Sequence, residues 1–140
     1  MISVDVASFK KLPVSQVASK IKPVGQTVKV RDILPTLSLL KDQIMAVVDD
    51  SEKLVGVVTS ADVLNPNLRD LLESTLKDSG LVEKEPVTVP MDMTIEDAVR
   101  TMRINDIDKL IVVDDRGRPF GFVTKTSTLR EFDRMYSPRL

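Results

Sequence analysis

Thr59 and Asp62 are the residues whose types and spacing are best suited to ligand chemistry. The apolar residues before Thr59 predict a strand and those after it predict a helix, so its hydroxyl lies at a strand-to-helix junction. There it could face an anion such as phosphate, together with the first free helical N–H groups. Asp62, in the first helical turn, could accept two charge-assisted hydrogen bonds from a ribose diol. The alternative is that Thr59 caps the helix and Asp62 favours its positive end.

The same segment occurs a second time with different chemistry. The sequence GFVTKTS keeps Thr124, but Ser127 stands in place of the acid and Lys125 adds a cation. A serine can hydrogen-bond a ribose more weakly and without a charge. This second segment is therefore a doubtful nucleoside site that either prefers a more anionic ligand or stays empty, and we favour the first segment as the ligand site.

Both segments belong to an internal repeat. Residues 46–64 align with 111–129 at an offset of 65 without a gap, and extending the alignment back to 28 and 93 gives ten identities in 37 positions. Each copy contains an apolar set with i, i+3, i+4, i+7 spacing, which predicts a one-sided helix. Two β-branched runs joined by a polar turn follow and predict a hairpin. The order in each copy is thus strand, helix, strand, strand, helix.

Three local features refine this pattern. Thr94 and Asp97 predict a capped start of the second-copy helix. The first copy lacks this cap and has Pro35 inside the helical pattern, which should shorten or kink its helix. Gly56 and Gly121 lie inside the last strand of each copy, where glycine indicates close approach of another backbone or of a ligand.

The connecting segments are predicted to be helical. A short helix should follow Pro13, and a linker helix should follow Pro66 and end near Gly80. The last helix should begin near Thr126. The apolar positions of these three helices are Val14, Val17, Ala18 and Ile21; Leu68, Leu71, Leu72 and Leu76; and Leu129, Phe132 and Tyr136.

Composition excludes several classes of protein. The chain has 140 residues, 20 basic and 21 acidic, and it contains neither Cys nor His. These absences exclude a disulfide scaffold, the usual zinc enzymes and Ser-His-Asp hydrolases. The balanced charge gives no support for nucleic-acid binding. Apolar runs are too short for a membrane helix and the N-terminus is too polar for a secretory signal, so we expect a cytoplasmic protein without membrane insertion.

The order Pro-Val, amphipathic helix, VVDD, turn and G-h-V-T-x-x-D resembles the cystathionine-β-synthase (CBS) domain. Two copies, over roughly residues 12–135, resemble a CBS pair or Bateman module. The resemblance implies an α+β fold of two pseudo-symmetric repeats, each a small sheet with helices packed on it, stacked face to face. The expected divisions are an extension (1–11), repeat 1 (12–65), a linker helix (66–81), repeat 2 (82–135) and a tail (136–140).

The resemblance also implies clefts that bind adenosine-containing ligands. In the family, segments around Pro-Val clamp the base and the starts of the middle strands contact its faces, while lysines can offset phosphate charge. The candidate ligand-binding residues are Thr59, Ser60, Asp62, Lys22, Pro23, Val24, Ile44, Met45, Ala46, Thr124, Lys125, Ser127, Pro86, Val87, Lys109 and Leu110. Ordinary sheet core is an equal interpretation for Met45, Ala46 and Leu110, and the lysines can simply be solvated.

We therefore expect a regulatory module that binds AMP, ADP, ATP or S-adenosylmethionine, acts as a homodimer and has a regulated protein partner. No enzymatic activity, cofactor or metal site is expected, since the pairs Asp49-Asp50 and Asp114-Asp115 suit hairpin turns. The alternative is a structural or dimerisation module with vestigial clefts. Its docking surface would be formed by Leu68, Leu72, Phe132 and Tyr136.

Overall fold

The structure is a computed structural model that describes residues 6–136. The elements are α1 Val6–Lys11, β1 Ser19–Lys20, β2 Lys22–Gly25, α2 Val30–Leu39, β3 Ile44–Val48, β4 Leu54–Thr59, α3 Ser60–Val63, α4 Leu68–Leu71, α5 Leu76–Ser79, β5 Glu83–Lys84, β6 Thr88–Pro90, α6 Ile95–Ile104, β7 Lys109–Val113, β8 Pro119–Thr124 and α7 Lys125–Tyr136. The order strand, helix, strand, strand, helix is confirmed in both repeats, as is the mixed α+β class.

The chain divides into two compact units that do not follow the repeat boundaries. The central unit comprises residues 21–86 and 116–119, and the described part of the terminal unit comprises 6–20, 87–115 and 120–136. Each unit contains a four-stranded sheet, with order β2-β3-β4-β5 in the central unit and β1-β8-β7-β6 in the terminal unit. In each, one parallel pair (β2 with β3, or β6 with β7) adjoins a hairpin.

Each sheet takes a two-residue edge strand from the segment that precedes the other repeat. β5 pairs with β4 and β1 pairs with β8, both antiparallel. A Cβ on Gly56 would lie 2.5 Å from the carbonyl oxygen of Glu83, and one on Gly121 would lie 2.5 Å from that of Ser19. The predicted close approach of another backbone is therefore confirmed at both glycines, and it is what admits the edge strands.

The two amphipathic helices supply the core of each unit. In the central unit, the buried face of α2 packs against β3 and β4; in the terminal unit, the buried face of α6 packs against β6, β7 and β8. The buried helix residues are Val30, Ile33 and Leu37 in α2 and Ile95, Ala98 and Met102 in α6. The predicted apolar spacing is thus confirmed in both helices, because these positions repeat every three or four residues.

The N–H groups in the first turns of α2 and α6 find different hydrogen-bond acceptors. Thr94 caps α6 as predicted, with its hydroxyl accepting a hydrogen bond from Asp97 N at 3.1 Å. α2 has no side-chain cap. Its free N–H groups at Val30 and Arg31 instead donate to carbonyl oxygens of the linker at 2.9 and 3.0 Å. Pro35 does not shorten α2, since both helices contain ten residues.

The prediction of a single linker helix was wrong. Two one-turn helices, α4 and α5, are separated by residues 72–75. The interruption arises because this stretch hydrogen-bonds outside itself: Leu72 O and Ser74 O accept from α2, and Leu76 N donates to Val28 O. Thr75 then caps α5, and Gly80 ends it at φ +76°, as expected near that residue. The predicted helix after Pro13 is only a 3₁₀ turn, Val14–Gln16, followed by β1.

The aromatic side chains of α7 are not free for docking. Phe132 and Tyr136 pack edge-on against the buried Phe9 of α1, with ring centroids 4.9 and 5.8 Å away. Leu68 packs against the central core. The expected docking surface of Leu68, Leu72, Phe132 and Tyr136 is therefore not an exposed apolar patch, because these side chains are at least half-buried. The remainder of the predicted tail, 137–140, lies outside the described residues.

Candidate functional site

One end of the central sheet gathers candidate residues from three segments. In the parallel pair, Lys22 lies opposite Met45, and in the hairpin Ile44 lies opposite Thr59. The starts of β2 and β3 therefore meet the end of β4, where α3 begins. The structure thus brings together Lys22, Pro23, Val24, Ile44, Met45, Ala46, Thr59, Ser60 and Asp62.

Thr59 and Asp62 form a reciprocal capping box at this end of the sheet. Asp62 Oδ2 accepts from Thr59 N at 2.8 Å and from Thr59 Oγ1 at 3.0 Å, while Asp62 N donates to Thr59 Oγ1 at 3.4 Å. The alternative role of these residues, capping of the helix, is therefore present in the structure. The capping box uses only one oxygen of the Asp62 carboxylate, because no residue within 6–136 donates to Oδ1. Asp62 is half-buried, so its second oxygen remains available to a ligand diol.

Gln43 is a residue at this end that the sequence did not single out. Its backbone has φ +52°, and its carbonyl oxygen accepts from Ser60 N at 3.1 Å. Its side-chain Oε1 accepts from Ser60 Oγ, also at 3.1 Å. Gln43 therefore orients the first residue of α3. No repeat signal could have found it, because the corresponding position in the second copy is Asp108.

The candidate residues of the central sheet differ in how far they are exposed to solvent. Lys22 and Pro23 are exposed and Val24 is half-buried, whereas Ile44, Met45 and Ala46 are buried. The side chain of Met45 lies in the central core with α2, which is the alternative interpretation given for it. Successive strand residues point to opposite faces, so Ile44 and Ala46 lie on the other face of the sheet from Met45.

A corresponding set lies at one end of the terminal sheet. β7 and β8 are neighbours, so Lys109 and Leu110 at the start of β7 lie beside Thr124 at the end of β8. Val87 joins them through its carbonyl oxygen, which accepts from Ile111 N at 3.1 Å. Lys125 is the first residue of α7 and is exposed, whereas Leu110 is fully buried.

Ser127 reproduces the cap without the charge. Its Oγ accepts from Thr124 N at 2.9 Å and donates to Thr124 O at 3.1 Å, and Ser127 N donates to Thr124 Oγ1 at 2.9 Å. The serine hydroxyl is thus already used as donor and acceptor, in contrast to the spare oxygen of Asp62. Both repeats have the helix cap, and they differ in whether an oxygen acceptor remains free to bind a diol.

Pro86 is not brought to the Thr59 end of the central sheet; it lies next to Val87, which joins the terminal set. β5 runs antiparallel to β4, with Lys84 opposite Gly56, so the chain after it heads toward the start of β4 and away from Thr59. Pro86 belongs to the central unit, while Val87 belongs to the terminal unit. Glu85 before it has φ +56°. The two Pro-Val segments therefore differ, since Pro23 lies within β2 and Pro86 precedes β6.

The acidic turns and other charges have local roles. Asp49 Oδ1 accepts from Ser51 N at 2.8 Å and from Lys53 N at 3.0 Å, which closes the first hairpin turn. Within residues 6–136, no three acidic side chains gather in a way that could hold a metal ion. On α7, the hydrogen bond that Arg134 donates to Glu131 raises the pKa of the Arg134 guanidinium. None of the helices described in 6–136 is long and apolar enough to cross a membrane.

Comparison with known proteins gives two matches to one family model. The model of the CBS domain matches residues 14–66 and 77–134. The structure of CBSX2 in complex with AMP is 27% identical, covers 89% of this chain and 98% of that one, and has a TM-score of 0.70. The CBS domain of a bacterial CNNM/CorC family Mg²⁺ transporter in complex with ATP is 20% identical, covers 91% of each chain and has a TM-score of 0.72.

Longer proteins also match over part of their length. Inosine-5'-monophosphate dehydrogenase of Methanocaldococcus jannaschii is 31% identical over 86 residues, which is 61% of this chain and 16% of that protein. Two uncharacterized proteins of the same organism match at 29% and 32% identity over 85 residues. The matches span 20% and 27% of those two proteins, so the chain corresponds to a minor part of each.

Proposed function

Because the chain belongs to the CBS domain family, we propose that it is a regulatory CBS pair that binds an adenosine-containing ligand at the Thr59 end of the central sheet. The ligand class comprises AMP, ADP, ATP and S-adenosylmethionine. Binding signals through a change in the population of conformations, to the extent that the ligand prefers one of them. We propose regulation rather than catalysis, since CBS domain modules serve as regulators, and we propose no cofactor.

The observation that carries this proposal is the convergence of three segments on one sheet end. Strand register places the exposed cation Lys22, the start of β3 and the Thr59–Asp62 cap side by side. A nucleotide presents a planar base, a diol and anionic phosphates. The segment around Pro23 offers backbone groups to the base, and the start of β3 offers apolar contacts to its faces. Asp62 Oδ1 offers an acceptor for the diol, and Lys22 offers a charge for phosphate. The AMP complex of CBSX2 supports the same ligand class.

The test is calorimetric titration with AMP, ADP, ATP and S-adenosylmethionine, paired with NMR of backbone amides. We expect at least one ligand to bind below millimolar concentration and to shift residues 22–24, 43–46 and 59–62. Silence with all four at millimolar concentration contradicts the proposal. Shifts restricted to residues 109–111 and 124–127 would move the site to the terminal unit.

A specific observation also supports the homodimer that we propose. Leu39 and Ile104 occupy the same position in the two repeats, at the ends of α2 and α6, and their exposed fractions are 86% and 75%. Large apolar side chains this exposed at matching positions are what a self-interface formed by both repeats requires. Their positions replace the docking surface that the sequence had suggested.

Sedimentation tests the dimer and separates the two candidate functions. We expect the double variant Leu39→Ser, Ile104→Ser to sediment as a monomer, with Lys41→Ser, Asp106→Ser as an exposed control that leaves the dimer intact. A monomeric wild-type protein contradicts the proposed dimer. A dimer that ignores all four nucleotides in sedimentation and calorimetry identifies a structural module instead, with the regulated partner acting through its surface.

A further inference from the structure

An apolar groove of about 630 Å³ lies on the terminal unit, between α1, α6 and α7. Its volume is in the range of small-molecule sites, which are mainly apolar with a few placed polar groups. It is separate from the Thr59 end of the central sheet, since all of its residues belong to the terminal unit. Its apolar floor consists of Val6, Phe9, Ile95, Val99, Leu129 and Phe132.

Three cations surround this floor. Lys10, Arg103 and Lys125 line the groove and are exposed, and no carboxylate within residues 6–136 forms an ion pair with them. A fourth cation at the rim, Arg100, is held by two acids of its own helix at 3.2 and 3.7 Å. The first turn of α7, where Lys125 lies, contains no acid. The rim thus carries three cations that form no ion pair in the described part of the chain, beside Glu96, which also lines the groove and pairs with Arg100.

Comparison of the repeats shows that the charge is particular to this groove. Three floor positions are apolar in both copies, because Val30, Leu34 and Leu64 stand where the terminal unit has Ile95, Val99 and Leu129, whereas the polar Asn67 stands where it has Phe132. The rim differs: serines stand in the central copy where Arg103 and Lys125 stand here. The shared fold thus does not require the cations.

We infer that this groove binds a single-chain amphiphile with an anionic head group, such as a fatty carboxylate. The chain lies along the apolar floor and the head group lies among Lys10, Arg103 and Lys125. A second copy that sets its own groove against this one is a poorer occupant, since that two-fold contact brings two positive rims together. The free carboxylate and the head group of a lipid present the same chemistry, and the experiment distinguishes them.

The probe is sodium decanoate, added below its micelle concentration and followed by calorimetry and by NMR. We expect decanoate to shift residues of α1, α6 and α7, and to bind roughly tenfold more tightly than octanoate, because two further methylene groups are buried. The double variant Lys10→Gln, Arg103→Gln should weaken binding at least about fivefold. The control Arg69→Gln, Lys77→Gln removes two exposed charges from α4 and α5 and should change it less than about twofold.

Three results overturn the inference: no binding of decanoate, equal binding to the Lys10→Gln, Arg103→Gln variant, or equal binding of decyltrimethylammonium. If Leu129→Ser dissociates a dimer, a second copy occupies the groove and the inference is also wrong. Co-sedimentation with phosphatidylglycerol vesicles distinguishes the two sources of the head group: binding to vesicles without binding of decanoate identifies a lipid surface and overturns the inference. Adenine nucleotides should bind the Lys10→Gln, Arg103→Gln variant as they bind wild type. Failure of the amphiphile proposal therefore leaves the proposed nucleotide site intact, and failure of the nucleotide proposal leaves the groove intact.

Discussion

Asp62→Ser is the substitution that best separates ligand binding from folding. It gives the central repeat the residue that the terminal repeat has in Ser127, whose hydroxyl accepts from Thr124 N at 2.9 Å. The helix cap therefore has a working precedent in the same protein. What the substitution removes is the carboxylate charge and the second oxygen, Oδ1, which no described residue uses.

The expected magnitudes follow from these contacts. Because the cap survives, the free energy of unfolding should fall by less than about 0.5 kcal/mol, as for ordinary surface substitutions. A hydrogen bond to a charged group contributes about 1.5–3 kcal/mol. Loss of even one such bond from the ribose to Asp62 raises the dissociation constant at least about tenfold. Binding should thus change far more than stability.

Asp62→Ala is the matched comparison, since it removes both the charge and the acceptor of Thr59 N, while the Thr59 hydroxyl still accepts from the backbone N of residue 62. We expect a similar loss of nucleotide affinity, with an added loss of about 0.5–1.5 kcal/mol in the free energy of unfolding, because Thr59 N loses its hydrogen bond. For a chain of this size the melting temperature then falls by a few degrees. Calorimetry with the tightest of the four nucleotides measures affinity, and urea unfolding of each variant measures stability.

One pattern refutes the reasoning. If Asp62→Ser binds nucleotide as wild type does while Asp62→Ala unfolds more easily, the carboxylate serves only as a cap. The reverse substitution, Ser127→Asp, adds an independent check. It supplies a spare oxygen in the terminal repeat, and a gain of nucleotide binding there would show that the acid is the limiting group.

Further predictions concern the backbone. Gly56→Ala and Gly121→Ala each place a Cβ 2.5 Å from a carbonyl oxygen of an edge strand, so each should lower the free energy of unfolding by about 1–3 kcal/mol in urea, and a neutral result would contradict the close approach. Glu52 has φ +64°, a left-handed conformation that favours glycine, and the second hairpin has Gly117 at the same position. Glu52→Gly should therefore raise the free energy of unfolding by about 0.5–1 kcal/mol. Gly117→Ala should lower it by about 1–2 kcal/mol in the same assay. Pro35 is exposed inside α2, so Pro35→Ala should raise the free energy of unfolding by about 1–3 kcal/mol in the same assay, because the helical gain exceeds the freedom that the unfolded chain acquires. An unchanged or lower stability would contradict this.

Apolar spacing predicted the helices and strands whose own sequence shows a helical or strand periodicity. α2, α6 and both hairpins follow from local periodicity, because the same side chains that define the pattern form the cores. The edge strands β1 and β5 could not be predicted as strands, since each has two residues and its pairing partner lies far along the chain. Only Gly56 and Gly121 indicated that another backbone approaches. The break between α4 and α5 was likewise hidden, because it depends on hydrogen bonds to α2.

In the candidate site too, features set by local sequence were predicted, and features set by contacts between distant segments were not. The strand-to-helix junction made Thr59 and Asp62 recognisable, and the repeat gave their counterparts. Gln43 was missed because its role rests on a left-handed backbone and on two contacts to Ser60. Pro86 was grouped with Pro23 by local sequence, but the two-residue difference in spacing gives it a different place relative to the strands.

The divergence between the repeats locates function better than their similarity does. Thr59 and Thr124 are identical and both cap a helix, so their conservation between copies is explained by folding alone. Asp62 and Ser127 satisfy the same N–H group, so folding does not decide between them. Folding likewise does not require cations at Arg103 and Lys125, where the other copy has serine. The two copies share one fold, but one has a spare carboxylate oxygen and the other has a groove rimmed by cations that form no ion pair within residues 6–136. Two different ligand chemistries, on the two units, are what this asymmetry supports.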